Sequence, residues 1–279
     1  LSKARPDMMT ATPDMTMATP DMTMATPDMT TATPDMTTAT PDTMTEIPDM
    51  MIEKTPISFR HEMKHQITLH EDRILSGRLD RLFSHDSHAG TGGCYQVTSL
   101  YFDTPDDKAL RQKVSGVSRR EKFRIRYYGE DLSFIRLEKK IKEGGLCAKR
   151  STRLTAEQVE LLLGGRIRYL TDSGDPLMIE LYSKMKGEFL RPVTVVNYER
   201  EAFVYSPGNV RVTLDRKLRT GMSPNDFFSP RTTLIPVGGD HILEVKYDAF
   251  LPELVRLAVH MPDRKTGTYS KYAVCRKYD

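Results

Sequence analysis

Residues 121–128 read EKFRIRYY and residues 134–140 read FIRLEKK. In the first run Lys122, Arg124 and Arg126 fall on one side and Phe123, Ile125 and Tyr127 on the other. In the second, Arg136, Glu138 and Lys140 oppose Ile135 and Leu137. A period of two is a strand signal, because successive side chains point to opposite faces of the pleat. Gly129-Glu130-Asp131-Leu132 between the runs predicts a hairpin. A single charged strand face is ordinarily solvated, but here the habit recurs in segment after segment. If those faces look inward, the strands enclose a basic cavity, and such a cavity calls for a polyanion.

The same alternation extends outward in both directions. Residues 58–69, SFRHEMKHQITL, put Arg60, Glu62 and Lys64 on one face, and 146–154, LCAKRSTRL, carry Lys149 and Arg150. Three further strands, 193–205, 209–215 and 241–248, contribute Arg200, Arg211 with Asp215, and Glu244 with Lys246. Residues 95–102, YQVTSLYF, are β-branched and aromatic and end in the turn Asp103-Thr104-Pro105. Between the strands the period changes. Ile74, Leu75, Leu79, Leu82 and Phe83 fall at helical spacing within 71–84, and a short polar helix is expected over 106–113. Thr155 with Gln158 forms a capping box for a helix that Gly164-Gly165 closes, and Asp175-Pro176 opens another over 177–190. Terminal helices are expected over 251–260 and 269–278, and the glycines of 85–93 predict a loop. The fold class is therefore α+β, mainly antiparallel, with seven or eight strands and helices between them.

The first part of the chain is different. From Ala11 the heptapeptide ATPDMTM repeats with small variations to residue 45. A proline in every repeat and the lack of an apolar pair exclude a coiled coil. Thr, Asp, Pro and Ala bury too little surface to offset chain entropy, so residues 1–55 are expected to be a disordered tail and 56–279 one folded domain. Net charge is only +3, which excludes a global basic field of the nucleic-acid-binding kind. The three cysteines, Cys94, Cys147 and Cys275, match no zinc or disulfide spacing, and no apolar run approaches membrane-spanning length. With no signal peptide read at its start, a cytoplasmic protein with no direct membrane insertion is expected.

The sign balance of the strand faces carries the chemistry. Arg60, Lys64, Lys122, Arg124, Arg126, Arg136, Lys140, Arg200, Arg211 and Lys246 stand against Glu62, Glu138, Asp215 and Glu244. Buried like charges in such excess cost several kcal/mol each unless a ligand supplies the opposite sign. Arginine suits paired phosphate oxygens and lysine a terminal phosphate. The few carboxylates are what Mn²⁺ or Mg²⁺ needs to bridge protein and phosphate. There is no P-loop and no GxGxxG, so neither common nucleotide fold applies. His61, His65, His85 and His88 fit no metal-ligand spacing and are expected to pack or lie at the surface.

Six motifs in order resemble one family: Arg60-His61-Glu62-Met63-Lys64, Ser99 to Thr104 (SLYFDT), Lys122 to Tyr128 (KFRIRYY), Leu137 to Lys140 (LEKK), Glu244 to Tyr247 (EVKY) and Tyr269 to Tyr272 (YSKY). They resemble the VTC domain, the polyphosphate polymerase domain of the vacuolar transporter chaperones within the triphosphate tunnel metalloenzymes. The resemblance implies a closed eight-stranded antiparallel tunnel that binds ATP and polyphosphate or pyrophosphate, not nucleic acid. It also implies phosphate contacts from Arg60, Lys64, Arg124, Arg126, Lys140, Lys149, Arg200, Arg211, Lys246, Ser270 and Lys271. Glu244, with Glu62 and Glu138, would face Mn²⁺ or Mg²⁺. Lys64, Arg124, Arg126, Lys140, Arg200, Arg211 and Glu244 would act in transfer of the ATP γ-phosphate to a growing chain. Two departures stand out. The superfamily's ExExK strand reads Arg60-x-Glu62-x-Lys64, and Thr268 stands where eukaryotic members have lysine, so one phosphate contact is expected to be missing. The 279 residues contain no SPX domain, which fits a stand-alone VTC domain of prokaryotic type. Alternatives are a tripolyphosphate or nucleoside triphosphate hydrolase and a non-catalytic polyphosphate-binding module. Glu244 argues against the module, since anion binding alone needs no metal carboxylate. An RNA 5′-triphosphatase lacks support, because no aromatic platform for bases stands out.

Overall fold

Among the described residues the apolar side chains form three clusters, and the two largest pack strand faces against helix stripes on the outside of one curled sheet. The computed structural model describes residues 58–90, 92–262 and 267–278, so the expected tail over 1–55 lies outside the described residues. In chain order the elements are β1 (His61–Ile67), α1 (Leu69–Leu82), β2 (Ser84–His85), β3 (Cys94–Asp103), α2 (Lys108–Val114), β4 (Arg120–Tyr128), β5 (Asp131–Glu143), β6 (Leu146–Leu154), α3 (Ala156–Leu163), α4 (Tyr169–Asp172), α5 (Pro176–Gly187), β7 (Arg191–Tyr205), β8 (Val210–Thr220), β9 (Ile235–Pro236), β10 (His241–Tyr247), α6 (Glu253–Ala258) and α7 (Lys271–Cys275). Eight strands run in the order β1-β10-β8-β7-β3-β4-β5-β6, every neighbouring pair antiparallel, while β2 and β9 add short pairings to β7 and β8.

Leu100, Phe123, Ile125, Ile135 and Leu137 pack outward against Val159 and Leu162 of α3 and Leu177 and Leu181 of α5. On the other side Val212, Leu214, Leu243 and Val245 pack against Leu75 and Leu79 of α1 and Val255 of α6. Each such side chain contributes about 1.5–3 kcal/mol on burial. With the apolar faces committed to the helices, the alternating charged faces have only the inside of the curl left to them.

The sheet is not a closed barrel, and this corrects the expectation. Among the described residues its edges β1 and β6 meet at one bridge, where Arg60 and Cys147 exchange N–H···O bonds of 2.8 and 2.9 Å. Beyond it, side chains cross the seam in place of backbone. Lys140 Nζ donates to both oxygens of Glu62 at 2.7 and 2.9 Å, and Cys147 Sγ lies 3.3 Å from Glu62. A continuous ladder needs strands about 4.8 Å apart, with no side chain standing between them.

Local signals place several ends differently from the sequence reading. Helix α1 begins at Leu69, because Thr68 and Glu71 form a capping box, and 85–93 contributes His85 to a strand. Strand β8 runs on to Thr220, whereas α6 and α7 are shorter than predicted. Thr155 with Gln158 and Asp175 cap α3 and α5 as expected. Among the described residues no helix is long and apolar enough to cross a membrane.

Candidate functional site

The inward faces line a cavity of about 420 Å³. Strand β4 supplies Lys122, Arg124, Arg126 and Tyr128 from alternate positions, and β5 supplies Glu138, Lys140 and Lys142. Lys149 comes from β6, Glu62 and Lys64 from β1, Glu244 and Lys246 from β10, Arg211 from β8, and Tyr198 and Arg200 from β7. Helix α7 lies over one side with Ser270, Lys271 and Tyr272. Arg60, next to the seam, completes the set, so every residue singled out above as a phosphate or metal ligand lies in this one lining. Arg136 is outside it, its guanidinium over the Phe134 ring at 4.5 Å. Among the described residues, fourteen lysines and arginines line the cavity against three glutamates.

The carboxylates are caged. Glu138 accepts from Arg124 Nε at 2.6 Å and from Lys149 Nζ at 2.9 Å. Glu244 pairs with Lys64 at 2.9 Å and Lys246 at 2.5 Å, and Glu62 also faces both lysines at 3.8 Å. Burial and the neighbouring Glu244 push the Glu62 pKa up, but Lys140, Lys64 and Lys246 outweigh them and hold it at about 2. Burial likewise opposes ionisation of Glu244 and Glu138, yet the surrounding cations keep both well below the usual carboxylate range.

Too few anions remain for the cations. Burial brings Lys246 down to about 8 although Glu244 and Glu62 oppose it. Burial does the same to Lys122, also to about 8; its ammonium sits 4.6 Å over the Tyr272 ring with no ion pair among the described residues. Burial would raise the Tyr101 phenol, yet Arg124 and Arg126 bring it down to about 7, and Arg124 donates to its oxygen at 3.1 Å. Burial thus weakens the charge of both lysines, whereas for Tyr101 the two neighbouring guanidinium groups outweigh burial.

Other cations are held in position by the fold. Arg126 donates to Ser99 Oγ at 3.0 Å and Tyr198 OH at 3.2 Å. Arg200 donates two bonds to Asp215, 2.6 and 2.8 Å, and Lys271 reaches the same carboxylate at 2.5 Å, fastening α7 to the sheet. Arg211 donates to Tyr95 OH at 2.8 Å and to Asp86 of the predicted loop. Burial works to raise the Asp215 pKa, but Arg200 and Lys271 lower it from 3.8 to about 2. A depressed folded-state pKa contributes stability that is full above about pH 4 and is lost as pH falls towards 2. We expect the stability gap between wild type and Asp215→Asn, roughly 3–5 kcal/mol at neutral pH, to shrink across that window. Thermal melts from pH 6 to pH 2 measure it, and a constant gap would show that the pair is not what titrates.

The three glutamates do not form one metal site: among the described residues no three His, Cys, Asp or Glu side chains are grouped to hold an ion by themselves. Glu62 and Glu244 share Lys64 and Lys246, whereas Glu138 belongs to Arg124, Arg126 and Lys149. The donor chemistry still fits Mg²⁺ or Mn²⁺. Such ions take one or two ionised carboxylates and fill the remaining positions with phosphate and water.

Sequence reasoning missed Tyr101, Lys113, Arg120, Lys142 and Tyr198, and left Lys122 out of the site although it flagged the face. Lys142 was readable, two residues beyond Lys140. Lys113 was not: it comes from α2, and its ammonium bonds the Thr268 carbonyl. A cation therefore stands where the missing lysine at 268 had predicted a gap.

The family described as VTC domain matches residues 42–278. A putative adenylyl cyclase from Hippeastrum, described as having a dominant triphosphatase activity, is similar in structure: 14% identity, 78% of this chain, 95% of that chain, TM-score 0.47. A putative adenylate cyclase from Bacillus halodurans shows 15% identity over 72% of this chain and 86% of its own, TM-score 0.42. The Mimivirus capping enzyme triphosphatase shows 10% identity over 74% and 91%, TM-score 0.39. No curated protein matches.

Proposed function

The chain belongs to the VTC domain family, and from that premise we propose that it is a metal-dependent polyphosphate polymerase that transfers the γ-phosphate of ATP to a growing phosphate chain. The observation that carries this reading is the unbroken run of cations along the cavity. It follows β4 from Arg120 to Arg126, roughly 20 Å of strand, which accommodates a chain of several phosphates.

In this reading the terminal oxygen of the chain attacks the γ-phosphorus, the bond to ADP breaks, and the chain lengthens by one unit. The protein supplies position and charge rather than a covalent nucleophile. Arg124, Arg126, Lys140, Arg200 and Arg211 exchange their carboxylate or hydroxyl partners for phosphate oxygens, and Lys64 and Lys246 neutralise the transferring group. Glu244 with Glu62 would hold Mn²⁺ or Mg²⁺, an ion that shields the phosphates from one another and steadies the leaving group. Ser270 and Lys271 place further donors at the α7 side.

Hydrolysis to orthophosphate is the second reading. In it water, rather than the terminal oxygen of the chain, is the attacking group in the same cavity, and the β1–β6 seam is joined by side chains beyond the Arg60–Cys147 bridge. Cys94 and Cys147 form no disulfide among the described residues and suit a reducing compartment, so the cytoplasm is the proposed location.

Incubating the protein with ATP and Mn²⁺ and resolving the products on a gel tests the proposal. A ladder of long phosphate chains is expected, whereas orthophosphate without chains moves the assignment to the hydrolase. Deleting residues 1–55 is expected to leave the product ladder and its rate unchanged, because the proposed catalytic domain is 56–279. A slower or shortened ladder would assign the repeats a part in the reaction.

A further inference from the structure

Strand β4 ends on Tyr128, which lines the cavity. Around it the fold gathers aromatic rings from separate segments. His88 lies 4.8 Å from the Tyr128 ring, Tyr95 5.8 Å and Phe134 6.5 Å, and His88 is 6.1 Å from both Tyr95 and Phe134. The Arg136 guanidinium covers Phe134 and makes no ion pair among the described residues. Phe134 and Arg136 continue the inward face of β5 that carries Glu138 and Lys140 deeper in. His88 is exposed, and Tyr128, Phe134 and Arg136 are half-buried.

Phosphate has no use for π-faces, yet this cluster is joined to phosphate-facing cations. Arg211 donates to Tyr95 OH at 2.8 Å, and against the opposing effect of burial Arg126, two residues before Tyr128 on the same face of β4, lowers the pKa of the Tyr128 phenol. The opposite end of β4 is chemically different: Arg120 pairs in register with Lys142 and lies close to Lys113. Flat rings and a free guanidinium are what a nucleobase stacks on.

We propose that the rings of His88, Tyr128 and Phe134, with Arg136, form the stacking site for the purine base of the nucleoside triphosphate, its phosphates running inward to Arg126 and Arg211. The growing chain then lies towards the Arg120 end of β4. The proposal rests on the reading of the cavity as an ATP-dependent polymerase, and it revises the expectation that no aromatic platform exists.

The test is calorimetric titration of the full chain with AMP-PNP, a non-hydrolysable ATP analogue, and separately with inorganic tripolyphosphate. Phe134→Leu keeps apolar volume without a flat ring, and His88→Ala alters an exposed side chain. Both are expected to weaken AMP-PNP binding by about tenfold and to leave tripolyphosphate binding unchanged, which also reports an intact fold. Unchanged AMP-PNP affinity in both variants overturns the stacking site while the polymerase reading stands. An equal fall for both ligands also overturns it, because the rings then shape the tunnel rather than hold a base. Failure of the wild type to bind tripolyphosphate overturns the polyphosphate reading itself.

Discussion

Glu244→Gln is expected to leave the protein folded and to reduce turnover with Mn²⁺ by roughly 10²-fold or more. The substitution keeps the volume of a buried side chain and leaves the backbone pairing of residue 244 with Lys64 and Thr213 untouched. It removes the charge that Lys64 and Lys246 face at 2.9 and 2.5 Å. Stranded ammonium groups are costly, but Lys246, already brought to about 8, sheds its proton readily once Glu244 no longer opposes that. The expected loss is about 2 kcal/mol, or roughly 5 °C in Tm. Metal-free tripolyphosphate binding should persist or tighten, because a negative charge has left the cavity. Turnover across a Mn²⁺ titration, with binding measured in chelator, separates these effects. Full activity in the variant would show that Glu244 does not face the metal.

Arg124→Ala combined with Arg126→Ala is expected to weaken polyphosphate binding by at least about 10²-fold and to flatten its salt dependence by about one unit for each guanidinium removed. Both guanidinium groups line the cavity, and both face Glu138. Removing them leaves a carboxylate that is 2% exposed with Lys149 as its remaining ion-pair partner, so stability should fall by about 3–5 kcal/mol. Adding Glu138→Gln distinguishes the two roles. The triple variant should regain most of the Tm but not the affinity, since neutralising Glu138 relieves the stranded charge without restoring a donor to phosphate. Binding that recovers along with the Tm would mean that the arginines act through stability alone.

Much of this site was legible in alternation. Lys122, Arg124 and Arg126 stand at a strict spacing of two, as do Arg136, Glu138 and Lys140, and a pleated strand sends such residues to one face whatever its neighbours. The caps of α3 and α5 were legible for a similar reason, because a hydroxyl or carboxylate satisfies backbone N–H groups two or three residues away. Ends set by distant partners were not. Strand β8 continues to Thr220 because β7 and β9 pair with it there.

The amino-acid order alone determined that these strands have one apolar and one charged face, that cations outnumber carboxylates on the charged face, and that Arg124, Arg126, Glu138 and Lys140 belong to it. Those properties depend on neighbours within a few positions, where backbone geometry leaves no choice. Only the tertiary structure decided that the sheet curls without closing its ladder, that Asp215 rather than solvent answers Arg200 and Lys271, and that Lys113 reaches Thr268. The same holds for the ring cluster around Tyr128, drawn from residues 88 to 134. Each of these joins segments far apart in the chain. Their meeting depends on how helices pack over the outer faces and bend the sheet, a cooperative outcome that no local pattern encodes.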